Sequence, residues 1–166
     1  FSDQDIEKTL KILKVVYKKM NTKEMINYTA NALSNEKAIG WFQGKMEFGP
    51  RSLGARSILG DPRSEKTQRN LNLKVKFRES FRPFAPSVLA EHVGDWFEHE
   101  GDSPYMLLVA DVNKSKRLEM TDEQKKLFGI DKLNVPRSSI PAITHVDYSA
   151  RLQTVHEDTN PRYYKL

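Results

Sequence analysis

"GWFQGKMEFGPRSLGARSILGDPR", residues 40–63, passes from an apolar run into a loop where glycines and cations are interspersed. Residues 44–63 carry three arginines, one lysine and four glycines, with no hydrophobic stripe calling for a helix or strand. The preceding run, Lys37 to Phe42, is short and apolar and reads as a buried strand. The cationic segment then admits at most one helical turn after Pro50, where a proline is tolerated. Beyond it, Glu65 to Asn70 reads as a short helix, and Leu71, Leu73 and Val75 alternate as in a strand. Strand, glycine loop and helix interleave here, and that order sets the fold class.

The same interleaving continues outward. Ser2 to Met20 reads as a helix capped by Ser2 or Asp3, with Ile6, Leu10, Leu13, Val16 and Tyr17 on one face. A second helix is expected over Lys23 to Leu33. The two prolines of "FRPFAPSVL" delay regular structure until a short strand at Pro86 to Leu89. "EHVGDWFE" reads as a short amphipathic helix and Tyr105 to Val112 as a strand. Lys114 to Ser139 is polar and irregular, an excursion over the surface with one helix at Asp122 to Phe128. "AITHVDY" and "ARLQTVH" read as two strands joined by a tight turn. The whole is expected to be an α/β (α+β) domain with a mixed sheet flanked by helices.

The chain has 166 residues and a net charge of +5. From Gln43 to Arg82 there are ten Lys/Arg against four acids, whereas the remainder holds 17 basic and 18 acidic residues. The positive charge is local, which argues against a generally adhesive basic protein. No apolar run approaches a bilayer span, and the acidic start "FSDQDIEKTL" is not a signal peptide. The absence of cysteine excludes disulfides and thiolate chemistry and fits a cytoplasmic protein. The first residue, Phe1, fits a piece of a longer polypeptide.

Three constellations carry chemistry. In "GPRSLGARS", Gly49 and Gly54 let a ligand approach the backbone, Arg51 and Arg56 offer planar forks for oxyanions, and Ser57 with backbone N–H groups completes an anion nest. It is neither a Walker loop nor a dinucleotide fingerprint, and a solvated basic loop is the plain alternative. In "NLKVKFRESFRPFAP", residues 72–86, Lys74, Lys76 and Arg78 would point to one side of an extended chain, with Arg82 following. A triphosphate would relieve their repulsion; a charged edge strand would also account for them. In "THVDYSARLQT", His145 and Asp147 share a face if extended, as do Arg151 and Gln153. The His–Asp pair suits metal ligation, an oriented base or a structural hydrogen bond, and no third ligand marks a metal site.

These blocks, with "NPRYYKL" at the end, resemble the C-terminal domain of the O-carbamoyltransferases, which include nodulation-factor, cephamycin and tobramycin carbamoyltransferases. The resemblance covers about Asn27 to Leu166. It implies a YrdC-like domain, a twisted mixed sheet with a positively charged concave face, occupying residues 23–166. Residues 1–22 would be a helical connector from a missing N-terminal half. That half would carry a threonylcarbamoyl-transferase-like, actin-like fold and an iron site, with no iron in this chain. The YrdC-like half would convert ATP, with Mg²⁺, and carbamoyl phosphate to carbamoyl-adenylate, and the N-terminal half would transfer the carbamoyl group to a small-molecule hydroxyl. The resemblance assigns Lys76, Arg78 and Arg82 to catalysis and Lys45, Arg51, Arg56, Ser57, Asn72, His145, Asp147 and Arg151 to substrate binding. Glu47 and Glu79 are expected to hold these cations in place. Ser52 and Ala55 depart from the family's usual Ala and Asn without touching a cation. The main rival is a nucleic-acid (tRNA) module of YrdC type, using Phe77, Phe81 and Phe84 between the cations. A third possibility is a docking domain whose pocket works only beside its partner half. Concentration of the cations in one glycine-punctuated segment weighs against nucleic acid, and membrane attachment is not expected.

Overall fold

A computed structural model describes all residues, 1–166. Helices α1 (Asp3–Ile12) and α2 (Thr22–Ser34) come first, followed by strands β1 (Ile39–Phe42) and β2 (Arg56–Leu59). Helix α3 (Glu65–Leu71) runs into a π-helical turn, Asn72–Lys76. Next are β3 (Ser87–Leu89), α4 (Val93–Trp96), β4 (Val109–Asp111), α5 (Asp122–Lys126) and α6 (Gly129–Leu133). Strands β5 (Ser149–Arg151) and β6 (Gln153–Val155) and helix α7 (Pro161–Lys165) complete the chain. Helix and strand mix as expected for an α/β protein, but the strands pair as three two-stranded ladders, not one sheet. β1–β2 and β4–β5 are antiparallel and β3–β6 is parallel.

Both opening helices have capping boxes: Ser2 with Asp5, and Asn21 with Glu24, satisfy first-turn N–H groups reciprocally. The expected helix to Met20 stops at Ile12. Lys14 adopts φ 52° and the Val15 N–H reaches back to the Leu10 carbonyl at 3.0 Å, so a Schellman turn closes α1 before the β-branched Val15–Val16 pair. No residue of α1 is buried.

The core lies between β4, β5, α4 and the 140–143 segment, where Val93, Phe97, Ala110, Val112, Ile140, Ile143, Ala150 and Leu152 form one buried cluster. Phe84, Val88 and Trp96 pack against it. Of the strand expected at Tyr105 to Val112, only Val109–Asp111 is regular, and Leu107, Leu108 and Val109 are exposed. The first strand is mostly exposed too, with Trp41 its one buried residue. The 114–139 excursion is not all surface: Val135, Arg137 and Ser138 are buried.

Three further expectations change, each for a backbone reason. The glycine segment contains β2, whose register Phe42↔Arg56 makes it the return strand of β1. The Leu71–Val75 alternation belongs to a helix end: Thr67 and Leu71, four apart, are the buried pair, while Leu73 and Val75 are exposed. The two final strands form no hairpin. Residues 142–148 form no strand, with turns at 141–143 and 146–147; β5 joins β4, and β6 pairs parallel with β3 through Ser87↔Gln153.

The β1–β2 connection is clamped by α7. Gly54 sits at φ 105°, and the Tyr163 ring lies where a Cβ would project. The Tyr163 hydroxyl lies 2.8 Å from Ser87 Oγ, which ties α7 to β3. Gly44, at φ 60°, faces open space. Gly54→Ala should therefore cost about 2–4 kcal/mol, combining backbone strain with overpacking. Gly44→Ala should cost only about 1–2 kcal/mol for its left-handed backbone. Paired urea titrations of the two variants measure the difference.

Candidate functional site

The glycine loop is built around one carboxylate. Glu47 Oε1 accepts the N–H groups of Leu53 and Ala55, each at 2.7 Å, and Arg56 Nε stands 3.4 Å from Oε2. Burial pushes the Glu47 carboxyl up, but the N–H donors of Ala55 and Leu53 and the Arg56 charge outweigh it and hold the carboxyl below its usual value. Ser57 Oγ accepts the Gly54 N–H at 3.0 Å, and the Arg56 guanidinium donates to the Gly49 carbonyl. The nest expected to receive a ligand thus holds the protein's own glutamate. Arg56 and Ser57, expected to contact substrate, also shape the loop. Gln43 Nε2 donates to the Gly54 carbonyl at 2.9 Å and Gln153 Nε2 to the Leu53 carbonyl at 2.9 Å, fixing the loop to the β3–β6 ladder.

Asn72 is likewise internal. Fully buried, it donates from Nδ2 to the carbonyls of Ser80 (3.0 Å) and Arg82 (2.8 Å) and accepts Arg78 Nε at 2.6 Å. Both Nδ2 protons are used inside the protein and the side chain is wholly buried, so Asn72, expected to contact substrate, here braces Arg78 and the 80–82 backbone. Its role is to fold residues 78–82 back over the π-helical turn. The three-cation face also fails as drawn, because Lys74 and Lys76 lie in a helical turn that ends at Phe77 with φ 50°. Lys45 and Lys76 are exposed, and Arg82 is paired at 2.8 Å with Glu79, both about half exposed. Glu79 and Glu47 do hold cations, Arg82 and Arg56, as the sequence suggests.

What converges is a smaller set. Arg78, oriented by Asn72, lies over the Phe84 ring at 4.9 Å. The other residues beside Phe84 form a cleft of about 350 Å³ lined by Pro83, Val109, His145, Asp147, Ser149 and Arg151. Arg151 sits at the end of β5, and burial together with the neighbouring Arg51 charge pushes its guanidinium below the usual range. Two cations from segments a hundred residues apart are thus close enough to repel, and neither has a carboxylate within ion-pair distance. His145 Nδ1 lies 3.1 Å from Asp147 Oδ1, an oxygen that also accepts Ser149 N–H (3.0 Å) and Oγ–H (2.6 Å). Those Ser149 donors, ahead of His145, hold the Asp147 carboxyl down at about 2. The pair is a turn feature, not the shared face of a strand, and it acquires no third ligand for a metal.

A second cleft of about 550 Å³ adjoins the first and shares Phe84, Ala85 and Ile143 with it. Its walls are mainly apolar, from Leu59, Leu71, Val88 and Tyr163 among others. Sequence reasoning did not assign Glu47 to the nest, Phe84 to seating Arg78, or Tyr163 to holding Gly54. The positions of Gly54 and "NPRYYKL" were visible, but no local pattern brings them together.

A family model described as the carbamoyltransferase C-terminus matches residues 30–166. The chain belongs to the carbamoyltransferase C-terminal family. Over 168 residues, covering all of the chain and 27% of the relative, it is 58% identical to an uncharacterized protein of Synechocystis. Nodulation protein NolO of Bradyrhizobium diazoefficiens is 42% identical over 146 residues, 86% of this chain and 23% of that protein. A 3'-hydroxymethylcephem-O-carbamoyltransferase of Amycolatopsis lactamdurans is 35% identical over 82% of this chain and 22% of the enzyme. The carbamoyltransferase C-terminal chain therefore spans about a quarter of the length of these relatives. No helix in it is long and apolar enough to cross a membrane.

The depressed Asp147 carboxyl has a signed consequence. Its contribution to stability is present above the ordinary value of 3.8 and is lost as pH falls through about 2. Asp147→Asn should lower the melting temperature at neutral pH, modestly because the group is exposed, and the deficit should vanish by about pH 2, as thermal scans across pH would show.

Proposed function

We propose that this chain is the substrate-activating part of an ATP-dependent O-carbamoyltransferase. In this reading it binds ATP and carbamoyl phosphate and forms carbamoyl-adenylate. A longer N-terminal half, resembling the threonylcarbamoyl transferases, passes the carbamoyl group to a small-molecule hydroxyl. The observation that carries the reading is a cleft lined by His145, Asp147 and Arg151, in which Arg151 has no carboxylate partner and feels the positive charge of Arg51. Like charges held together stabilise the protein only when an anion lies between them, and each charge-assisted contact contributes roughly 1.5–3 kcal/mol.

The adjoining apolar cleft supports a nucleotide in particular. The adenine ring would lie against Leu59, Val88 and Tyr163, and the phosphates would extend past Phe84 toward Arg78 and Arg151. Lys45, Lys76 and Arg82, exposed and outside the narrow cleft, would gather on the distal phosphates by side-chain movement. Mg²⁺ would arrive on the triphosphate. The chain's part is electrostatic: it places cations where negative charge develops as the phosphate and pyrophosphate leave. Iron has no role in this part of the protein. The relatives whose printed names specify carbamoyl transfer support the same chemistry here.

Calorimetric titration tests the reading. Arg51→Ala and Arg151→Ala should each weaken binding of ATP or carbamoyl phosphate by about tenfold or more, from the loss of one charged contact. Gln124→Ala, a cap residue of α5 remote from the cleft, should leave affinity unchanged. Tight oligonucleotide binding with a steep salt dependence, and none to ATP, would instead favour the tRNA-module reading suggested by exposed Phe77.

A further inference from the structure

The cleft holds an oriented imidazole as well as a cation. The His145 backbone is pinned on both sides: its N–H donates to the Ser149 carbonyl at 2.8 Å, and its carbonyl accepts the Tyr148 N–H at 3.0 Å. An ionised Asp147 only accepts, so the Nδ1 facing it carries a proton and the neutral ring presents its free lone pair at Nε2. Nε2 makes no hydrogen bond within the protein. Ser149, which holds Asp147, and Arg151 are two apart on β5 and project to the same side. An oriented imidazole and an uncompensated guanidinium therefore line one cleft, with Val109 beside Arg151 across the β4–β5 ladder and Pro83 and Phe84 completing the lining.

We propose that His145, oriented by Asp147, is the general base that takes a proton from water attacking the carbonyl carbon of an acyl phosphate whose phosphate is held by Arg151. This deepens the reading above and rests on its claim that the cleft binds phosphorylated substrate. The carbonyl carbon is the better target than phosphorus, because water reaching phosphorus must pass between anionic oxygens. Water's oxygen bonds to the carbonyl carbon while Nε2 accepts one of its protons. The bond from that carbon to the bridging oxygen breaks, and its electron pair leaves with the phosphate. The imidazolium then gives its proton to the departing phosphate or to solvent. Carbamoyl phosphate so treated yields carbamate and inorganic phosphate, and acetyl phosphate yields acetate and phosphate; water is the only co-reactant. Asp147 is the positioning residue, selecting the tautomer with a free Nε2.

The test uses this chain with acetyl phosphate in ¹⁸O-water, because acetate retains the label. The expected result is saturable phosphate release with ¹⁸O in acetate and none in phosphate. His145→Gln should lower kcat by about 10²–10⁴-fold with KM within a few-fold of wild type, as for loss of a general base. Asp147→Asn should likewise lower kcat more than KM, by at least about tenfold, because an amide no longer selects the tautomer. Arg151→Ala should act mainly on KM. His145 is exposed, so His145→Gln folds even if the Asp147 variant is destabilised. Label in phosphate, a His145→Gln variant with wild-type kcat, or calorimetric binding of acetyl phosphate without hydrolysis would each overturn the proposal and leave the binding reading standing. Absence of any binding of acetyl or carbamoyl phosphate would overturn both.

Discussion

Positive charge brought together without a counter-ion is the constraint on which the rest of this structure depends. Three arginines of the cationic segment have a carboxylate partner: Arg56 has Glu47, Arg63 has Asp61 and Arg82 has Glu79. Arg51 and Arg151 are treated differently. They come from segments a hundred residues apart, burial and the Arg51 charge lower the proton affinity of Arg151, and no carboxylate pairs with either. A fold that spends acids on neighbouring arginines and withholds them here leaves a local field suited to an oxyanion.

Holding that arrangement are two polar groups that bond within the protein, half-buried Glu47 and fully buried Asn72. Glu47 collects the loop's N–H groups, so the glycine segment has a defined shape before any ligand arrives. Asn72 collects two carbonyls and the Arg78 Nε, so the "FRPFAP" turn folds back and presents Phe84 to both clefts. Breaking either set would leave backbone groups buried without partners, the costly side of the hydrogen-bond balance. Gln153, Ser87 and Tyr163 then connect the loop to the parallel ladder and to α7, which makes one body of pieces distant in sequence. Preorganisation of this kind is what electrostatic catalysis demands, because donors that need not move at the moment of reaction lower its barrier most.

Local signals in the sequence were read well where local physics decided the outcome. The Asn21 cap placed α2 to within a residue or two, and the prolines of residues 83–86 kept that stretch irregular. They misled where one pattern served two structures. Leu71, Leu73 and Val75 alternate as a strand would, yet Asn72 needs three partners that only a helical turn can bring into reach. "THVDYSAR" looks extended, yet Asp147 bonds Ser149 two residues on and so makes a turn. That Arg56, Ser57 and Asn72 also brace the loop and the helical turn was not legible, because their partners are brought to them only by the fold.

The sequence by itself determined the mixed α/β character, the membership in the carbamoyltransferase C-terminal family and the confinement of positive charge to one segment, since composition, caps and ordered motifs are written along the chain. Tertiary structure alone decided which cations remain free, because neutralisation depends on distance in space: Glu47 reaches Arg56 across a loop, and Arg151 meets Arg51 only after β5 has paired with β4. Charge is a property of residues, whereas an unanswered charge is a property of their arrangement.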